Sequence, residues 1–338
     1  MARTAVSGII VFGAVYILGA LSLNLLNSRL NVAAARPDAY RGDIRPDSGE
    51  ASILELRTAN IGLEGRLASG SGTQEGWGYY GEYPPEKWPY FGDRRLNQCG
   101  GRRQSPVNID TNRLQRITSL PPLRLGGYEQ EIVEAKIAVT TTGAGYHDLD
   151  QVARNISGGP LKGVYRLSGF HVHWAESRSR GGAEHTINGK ALPMELHAVH
   201  YKAMYGSMDE AIKHPDGIAV LGVLFEEDAY QSELSAHRMA KQLSASSGRS
   251  HSLVKRTHIH LKDFFVRPNH YYYYEGSLTT PMCNEVVQWL VFPHPIRIST
   301  NDMELIRALR DPNGRKIGHN FRPVQPLNGR IVSFSYRR

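Results

Sequence analysis

Three histidines in two short, strand-like segments have the residue type and the spacing of a metal site. His171 and His173 are separated by one residue within the segment GFHVHW (169–174), and His197 lies in a second apolar segment, MELHAV (194–199). Because side chains alternate between the two faces of a strand, His171 and His173 point to the same side, where His197 from a neighbouring strand can join them. Isolated His-x-His pairs are common in ordinary cores and surfaces, and it is the second segment that favours a site. Zinc bound by three histidines keeps its fourth position open for water, which is typical of catalytic sites.

The elements around these histidines are predicted to be mainly strands. The continuous apolar runs 218–225 and 286–292 are typical of strands that are buried on both faces. Helix signals are short and peripheral: Ser207 is followed by Glu210, and Asn301 is followed by Glu304 at the start of a predicted helix over 303–310. The sequence therefore predicts a mostly β (α+β) domain with short helices at its periphery.

Composition limits the classes of protein that the chain can belong to. With 338 residues, 41% of them hydrophobic, it can bury the core of one large domain plus an appendage. The formal net charge is +8, but the basic residues are scattered and form no long run, so no nucleic-acid partner is predicted. Nothing in the sequence indicates an oligomeric state.

The first 75 residues are predicted to lie outside the folded domain. Residues 5–26 are apolar over a length that can cross a bilayer, whereas a secretory h-region needs only roughly 7–15 residues. Residues 1–35 are therefore either a signal peptide, with AAA at 33–35 as a cleavage site, or a signal anchor. Residues 36–75 are polar and are predicted to be a stalk or a propeptide, before a domain over 76–338. Both alternatives predict a secreted or extracytoplasmic domain, possible membrane anchorage, and glycosylation at the sequon that starts at Asn155.

Four further motifs occur in order around the histidines: QSPVNI (104–109), GGPL (158–161), SLTTP (277–281) and RPVQPL (322–327). Together with the histidines they resemble the α-class carbonic anhydrases, from about residue 76 to residue 336, and in particular the secreted and membrane-associated branch. The resemblance implies a large central, twisted, mainly antiparallel sheet with Zn²⁺ at the bottom of a conical cavity. It also implies reversible hydration of carbon dioxide to bicarbonate and a proton by a zinc-bound hydroxide.

The resemblance assigns roles to individual side chains. His171, His173 and His197 would bind zinc, and Thr279 would orient the hydroxide by passing its own proton to Glu184. The remaining implied residues surround these groups: Glu195 orienting His197, Asn320 orienting His173 through its backbone carbonyl, Thr280 beside bicarbonate, Tyr79 ordering cavity water, and Val199, Val220, Leu278 and Trp289 forming an apolar wall for carbon dioxide.

The two cysteines of the chain match a pair that is bridged in exported relatives. Cys99 precedes the QSPVNI motif, and Cys283 follows the SLTTP motif. Two unpaired thiols are the alternative, but an exported domain would meet an oxidising compartment. A Cys99–Cys283 disulfide is therefore predicted.

Two positions depart from the family pattern. Ala144 stands where the family usually has its proton-shuttle histidine, and Gly169 replaces the glutamine that holds the first zinc ligand. Because the loss of such a ligand-orienting partner typically costs about 10–100-fold in metal affinity or activity, a slower enzyme with a looser site is expected. His147 could relay protons if it faces the metal, and otherwise it is an ordinary surface histidine.

These departures also allow a second class of protein. Some members of the family lose zinc ligands and keep the fold as an extracellular binding or structural module. The presence of all three histidines together with Glu184 and Thr279 favours the enzyme.

Overall fold

A twelve-stranded sheet forms the framework of the domain. A computed structural model describes residues 76–336, so the predictions for residues 1–75 lie outside the described part of the chain. The strands in chain order are β1 (Asn108–Ile109), β2 (Gln115–Ile117), β3 (Arg124–Gly126), β4 (Glu131–Val139), β5 (Ala144–His147), β6 (Asn155–Gly158), β7 (Leu161–Trp174), β8 (Thr186–Ile187), β9 (Lys190–Ala191), β10 (Met194–Lys202), β11 (Ile218–Asp228), β12 (His251–His260), β13 (Tyr271–Gly276), β14 (Val287–Ser299) and β15 (Ser333–Ser335).

The sheet is mixed but mainly antiparallel. Its strand order is β12-β4-β5-β7-β10-β11-β14-β13-β15-β2, with β6 also paired to β7 and to β3. The pairs β11–β14 and β15–β2 are parallel, whereas the pairs that surround the histidines are antiparallel. Strands β1, β8 and β9 form a separate small sheet. The predicted fold class and the two apolar strands over 218–225 and 286–292 are confirmed, apart from Val286, which directly precedes β14.

The alternation of side chains along β7 separates the core from the site. Phe170, Val172 and Trp174 are buried in the main hydrophobic core, which also contains apolar residues of the longest helix. Because neighbouring residues of a strand point to opposite faces, His171 and His173 lie on the other face of the sheet. The core thus fixes the strand that carries two of the three histidines.

The helices among the described residues are few and short, as expected. They are α1 (Met208–Ala211), α2 (Leu234–Ala245) and α3 (Thr300–Arg307), with 3₁₀ turns at Pro85–Tyr90, Thr111–Arg113, Ala203–Tyr205 and Leu261–Phe264. Ser207 caps α1 as predicted. The predicted start of α3 is wrong, because the Ser299 side chain accepts a hydrogen bond from the Asp302 backbone N–H at 3.1 Å and so begins the helix before Asn301. None of the helices within residues 76–336 is long and apolar enough to cross a membrane.

The predicted disulfide between Cys99 and Cys283 is present, with an S–S distance of 2.07 Å. Both cysteines are buried in a small cluster with Trp77, Tyr79 and Trp88. The bridge therefore joins the start of the domain to the segment that follows Thr279 and Thr280.

Candidate metal centre

The three predicted ligands come together on adjacent strands. In the antiparallel pair β7–β10, His197 lies directly opposite His171, and Glu195 lies opposite His173. One ligand atom from each of His171, His173 and His197 can be chosen so that the three atoms lie within 4.8 Å of one another. The ring centroids are 4.5–5.3 Å apart. Strand register thus produces the three-histidine cluster that the sequence predicts.

Hydrogen bonds determine which nitrogen of His173 and of His197 can face a metal. His173 Nδ1 lies 2.7 Å from the backbone carbonyl oxygen of Asn320, and His197 Nε2 lies 2.8 Å from Glu195 Oε1. These contacts leave Nε2 of His173 and Nδ1 of His197 available to bind a metal ion. The Asn320 side chain is itself fixed, since its Oδ1 accepts from the Trp174 backbone N–H at 2.7 Å.

Burial keeps all three imidazoles neutral. It lowers the pKa of His171 well below the ordinary value, lowers that of His173 to about 4, and also lowers that of His197. A histidine binds a metal ion only as the neutral imidazole, so this cluster can accept a cation without first losing a proton. His173 Nε2 is buried and has no hydrogen-bond partner within residues 76–336. An orphaned, neutral nitrogen among two further imidazoles fits a zinc ion with three histidine ligands.

A second group, formed by His185, Glu195 and His197, is a supporting network. His185 Nδ1 lies 2.7 Å from Glu195 Oε1, and its Nε2 lies 2.7 Å from the hydroxyl of Tyr274. Both nitrogens of His185 are therefore in use. Burial would raise the pKa of Glu195, but the nearby His185 and His197 rings hold it well below its ordinary value. The carboxylate is thus ionised and in contact with His197, while its role in orienting that ring stays a prediction.

Glu184 and Thr279 lie beside the ligands, where the sequence predicts them. Burial raises the pKa of Glu184 to about 7, and this rise is limited by His197, by the backbone N–H of Arg322 at 2.7 Å and by a hydrogen bond with the Thr279 side chain. Glu184 also lies near two ligands, at 3.5 Å from His173 Nδ1 and 3.9 Å from His197 Nδ1. Glu184 and Thr279 are therefore coupled to each other next to the metal site.

One cavity contains the histidines and most of the other predicted residues. Its lining includes Tyr79, Thr279, Thr280 and Asn320 and, on its apolar side, Val199, Val220, Leu278 and Trp289. The Trp289 ring lies edge-on to His197, with a centroid distance of 4.8 Å. The structure thus brings the predicted apolar wall and the predicted polar groups together around the ligands.

Sequence reasoning missed several residues that line this cavity. Met208 and Ile212 extend the apolar side, and Thr140 and Thr142 lie on the same side as Ala144. The four-residue spacing of Met208 and Ile212 is the available signal, because residues at i and i+4 share one face of a helical turn. Thr142 lies in the segment that precedes the family's shuttle position, which is a signal for it, whereas Thr140 has no such signal.

His147 lies outside the lining of the cavity and is buried, so it is neither the cavity histidine nor the surface histidine that the sequence left as alternatives. It is buried on β5, its ring centroid is 5.6 Å from that of the exposed His251, and its Nδ1 is 3.7 Å from Asp148 Oδ2. Burial lowers its pKa. Ala144, in contrast, does line the cavity.

Asn155 lies on β6, which pairs with β3 on one side and with β7 on the other. Its side chain is half-buried. Glycosylation at Asn155 stays a prediction.

The sheet thus carries a cluster of three histidines that could hold a metal ion, in a cavity with one apolar side. Residues 84–336 match the family model described as eukaryotic-type carbonic anhydrase. The chain is 36% identical over 272 residues to carbonic anhydrase 7 of Mus musculus, covering 77% of this chain and 97% of that protein. It is 35% identical over 273 residues to carbonic anhydrase 7 of Homo sapiens (78% and 98% covered), and 31% identical over 266 residues to carbonic anhydrase 3 of Mus musculus (77% and 98% covered). The chain belongs to the carbonic anhydrase family.

Proposed function

We propose that this chain is a zinc enzyme that interconverts carbon dioxide with bicarbonate and a proton. The observation that carries the proposal is the arrangement of one cavity: three neutral imidazoles, the coupled Thr279 and Glu184, and an apolar wall all line or adjoin it. His171, His173 and His197 would hold the zinc ion, with His173 using Nε2 and His197 using Nδ1. In carbonic anhydrase, zinc supplies a Lewis acid that brings the pKa of bound water to about 7.

Thr279 and Glu184 orient the attacking water. The backbone N–H of Arg322 donates to Glu184 at 2.7 Å, which supports the carboxylate as the acceptor for the Thr279 hydroxyl proton. With its own proton committed in this way, the Thr279 oxygen is left to accept a hydrogen bond from the water. Such an interaction directs a lone pair of the water oxygen toward the substrate.

The apolar wall suits a small substrate without charge. Val199, Val220, Leu278 and Trp289 line the same cavity as the ligands, and Thr280 adds a hydroxyl beside them. Carbon dioxide would bind by apolar contact with the wall, and bicarbonate could form a hydrogen bond with the hydroxyl of Thr280. The wall also excludes water from one side of the reacting atoms.

The proton is expected to leave slowly unless buffer accepts it. Among the described residues that line the cavity, the three ligands are the only histidines and no acidic side chain is present. If the donor has a pKa of about 7 and the proton returns at about 10¹⁰ M⁻¹ s⁻¹, loss to water is restricted to about 10³ s⁻¹. We propose turnover that depends on buffer, because His147, the other candidate for a proton relay, lies outside the lining of the cavity.

We also propose that the domain functions outside the cytosol. The support is the apolar segment at residues 5–26 and the Cys99–Cys283 bridge, because disulfides persist mainly in oxidising compartments. Retention of the apolar segment would anchor the protein in a membrane, and its cleavage would release it.

Stopped-flow measurement of carbon dioxide hydration by the purified full-length chain tests the proposed function. We expect activity that is lost with a zinc chelator and recovered with added zinc. A protein that binds zinc but hydrates no carbon dioxide would instead support the family's binding or structural module, which the departures at Ala144 and Gly169 allow.

A further inference from the structure

His171 differs from the other two candidate ligands in what holds its ring. The rings of His173 and His197 are hydrogen-bonded to the Asn320 carbonyl and to Glu195, respectively. Within residues 76–336, no group forms a hydrogen bond with the His171 ring. Even so, a His171 nitrogen lies within 4.8 Å of the other ligand atoms. Something other than a hydrogen bond therefore keeps this histidine in place.

Strand β5 lies unusually close to His171. Gly145 is the direct cross-strand partner of His171, and a Cβ atom built on Gly145 would lie 2.6 Å from the His171 Cβ and 2.7 Å from the Phe170 carbonyl oxygen. Non-bonded carbon atoms make favourable contact only at about 3.5–4.0 Å. Even the single methyl group of alanine would therefore force β5 and β7 apart at the first ligand.

Gly169 shows the same close approach two residues before His171. A Cβ atom built there would lie 2.4 Å from the carbonyl oxygen of Tyr146 on β5. Neither Gly145 nor Gly169 has a positive φ angle. Glycine is therefore required at both positions by the approach of the two backbones, and not by a left-handed conformation.

We propose that Gly145 and Gly169 are positioning residues for the first zinc ligand. With no side chains between them, the backbone of β5 packs against β7 directly opposite His171 and again two residues before it, at Gly169, and so fixes the direction in which the His171 side chain leaves the strand. This packing takes the place of the hydrogen bond that a glutamine at position 169 would give. The inference rests on the proposed function, because it assumes that the three histidines bind zinc.

The substitutions Gly145→Ala and Gly169→Ala in the full-length chain test this inference. We expect each to weaken zinc binding about tenfold or more in competition with a chelator, in line with the loss of an interaction that orients a ligand. We also expect each to change the visible absorption spectrum of the cobalt-substituted protein, which reports the geometry of the ligands. Gly169→Ala serves as the second variant if Gly145→Ala does not fold.

The matched control is Gly127→Ala. A Cβ atom there would lie 2.6 Å from the Ala153 carbonyl oxygen, and Gly127 has a φ of +78°, but it lies away from the ligands at the β3–β4 connection. This variant should lose thermal stability while its zinc affinity and cobalt spectrum stay like those of the parent. If the parent binds zinc and both site variants keep its zinc affinity and cobalt spectrum, the positioning role of the two glycines is overturned, while the proposed function stands. A parent that binds no zinc overturns the proposed function, and the positioning role with it.

Discussion

The rings of His173 and His197 are fixed by hydrogen bonds to a backbone carbonyl and a carboxylate, whereas at His171 the strand backbone packs closely against β5 at two glycines. Beside His173 and His197, Glu195 is also hydrogen-bonded to His185, and His185 is hydrogen-bonded to Tyr274. Beside His171, in contrast, no polar side-chain atom comes from Gly145, Gly169 or Ala144. The same cavity thus has a hydrogen-bonded side and a backbone-packed side.

This difference suggests that the two tasks of the site are divided between its sides. Holding the metal and orienting water need directed polar groups, and these lie around His173, His197, Glu184 and Thr279. The backbone-packed side carries the position at which the family usually has its proton shuttle, and here that position is an alanine. Under the proposed function, the chain therefore has the groups needed for metal binding and attack and lacks a histidine at the position that the resemblance gives to the proton shuttle.

The largest effect is expected from the hydrogen-bonded side. His197→Ala should abolish both stoichiometric zinc binding and hydration, because it removes one of three ligands and one of the two imidazoles that contact Glu195. Zinc content by elemental analysis and hydration rate are the readouts. His200→Ala is the matched control: His200 is equally buried on β10 but hydrogen-bonds Tyr128, so zinc should be retained. Tight stoichiometric zinc in His197→Ala would show that the ligand set is wrong.

A smaller loss is expected from Thr279→Ala. The variant keeps all three ligands but loses the hydroxyl that is coupled to Glu184, so hydration should slow about 10–100-fold while zinc content stays the same. Thr279→Ser retains a hydroxyl and should recover most of the rate. Equal rates for Thr279→Ala and the parent would remove Thr279 from the mechanism.

On the backbone-packed side, a gain is expected. Ala144→His places an imidazole on the cavity wall, and its ordinary pKa of about 6.5 suits a proton acceptor. At low buffer concentration this variant should turn over several-fold faster than the parent, and the parent should speed up as imidazole-type buffer is added. His147→Ala tests the alternative relay. A parent that is fast and independent of buffer, with His147→Ala unchanged, would mean that the proton leaves by another route.

The smallest effect concerns the pH dependence of the metal-free protein. The pKa of His173 is about 4 in the folded state and about 6.5 in an unfolded chain. Between these values the unfolded state binds a proton that the folded state does not, so the free energy of unfolding should decrease as pH falls from 6.5 toward 4. Denaturant titrations of the parent and of His173→Gln isolate this contribution, and the variant should show the weaker dependence. Identical slopes would argue that His173 is not buried as a neutral ring.

Most of the hydrogen-bonded side could be predicted from the sequence because each of its residues lies within a short motif. The spacing of His171 and His173 is read directly from strand alternation, and Thr279 lies in SLTTP. The direction of the His147 ring could not be predicted, because it depends on how β5 pairs with β4 and on where β12 places His251. The role of Gly145 could not be predicted either, since a glycine in a strand says nothing about how closely its neighbour approaches.

The fold shows the same limit. Apolar runs predicted β11 and β14, but not that these two strands pair in parallel, because pairing depends on contacts between residues far apart in the sequence. Helix α2 was not predicted at all. Its N-cap, Glu233, makes no side-chain capping hydrogen bond, so the usual start signal is missing.

Anomalous scattering at the zinc absorption edge from crystals of the full-length protein tests the proposed metal site most directly. We expect one zinc ion per chain, bound by His171, by Nε2 of His173 and by Nδ1 of His197 at about 2.0–2.1 Å, with a fourth position open to solvent. Zinc bound by His185, Glu195 and His197 instead, or no zinc at the three histidines, would contradict it.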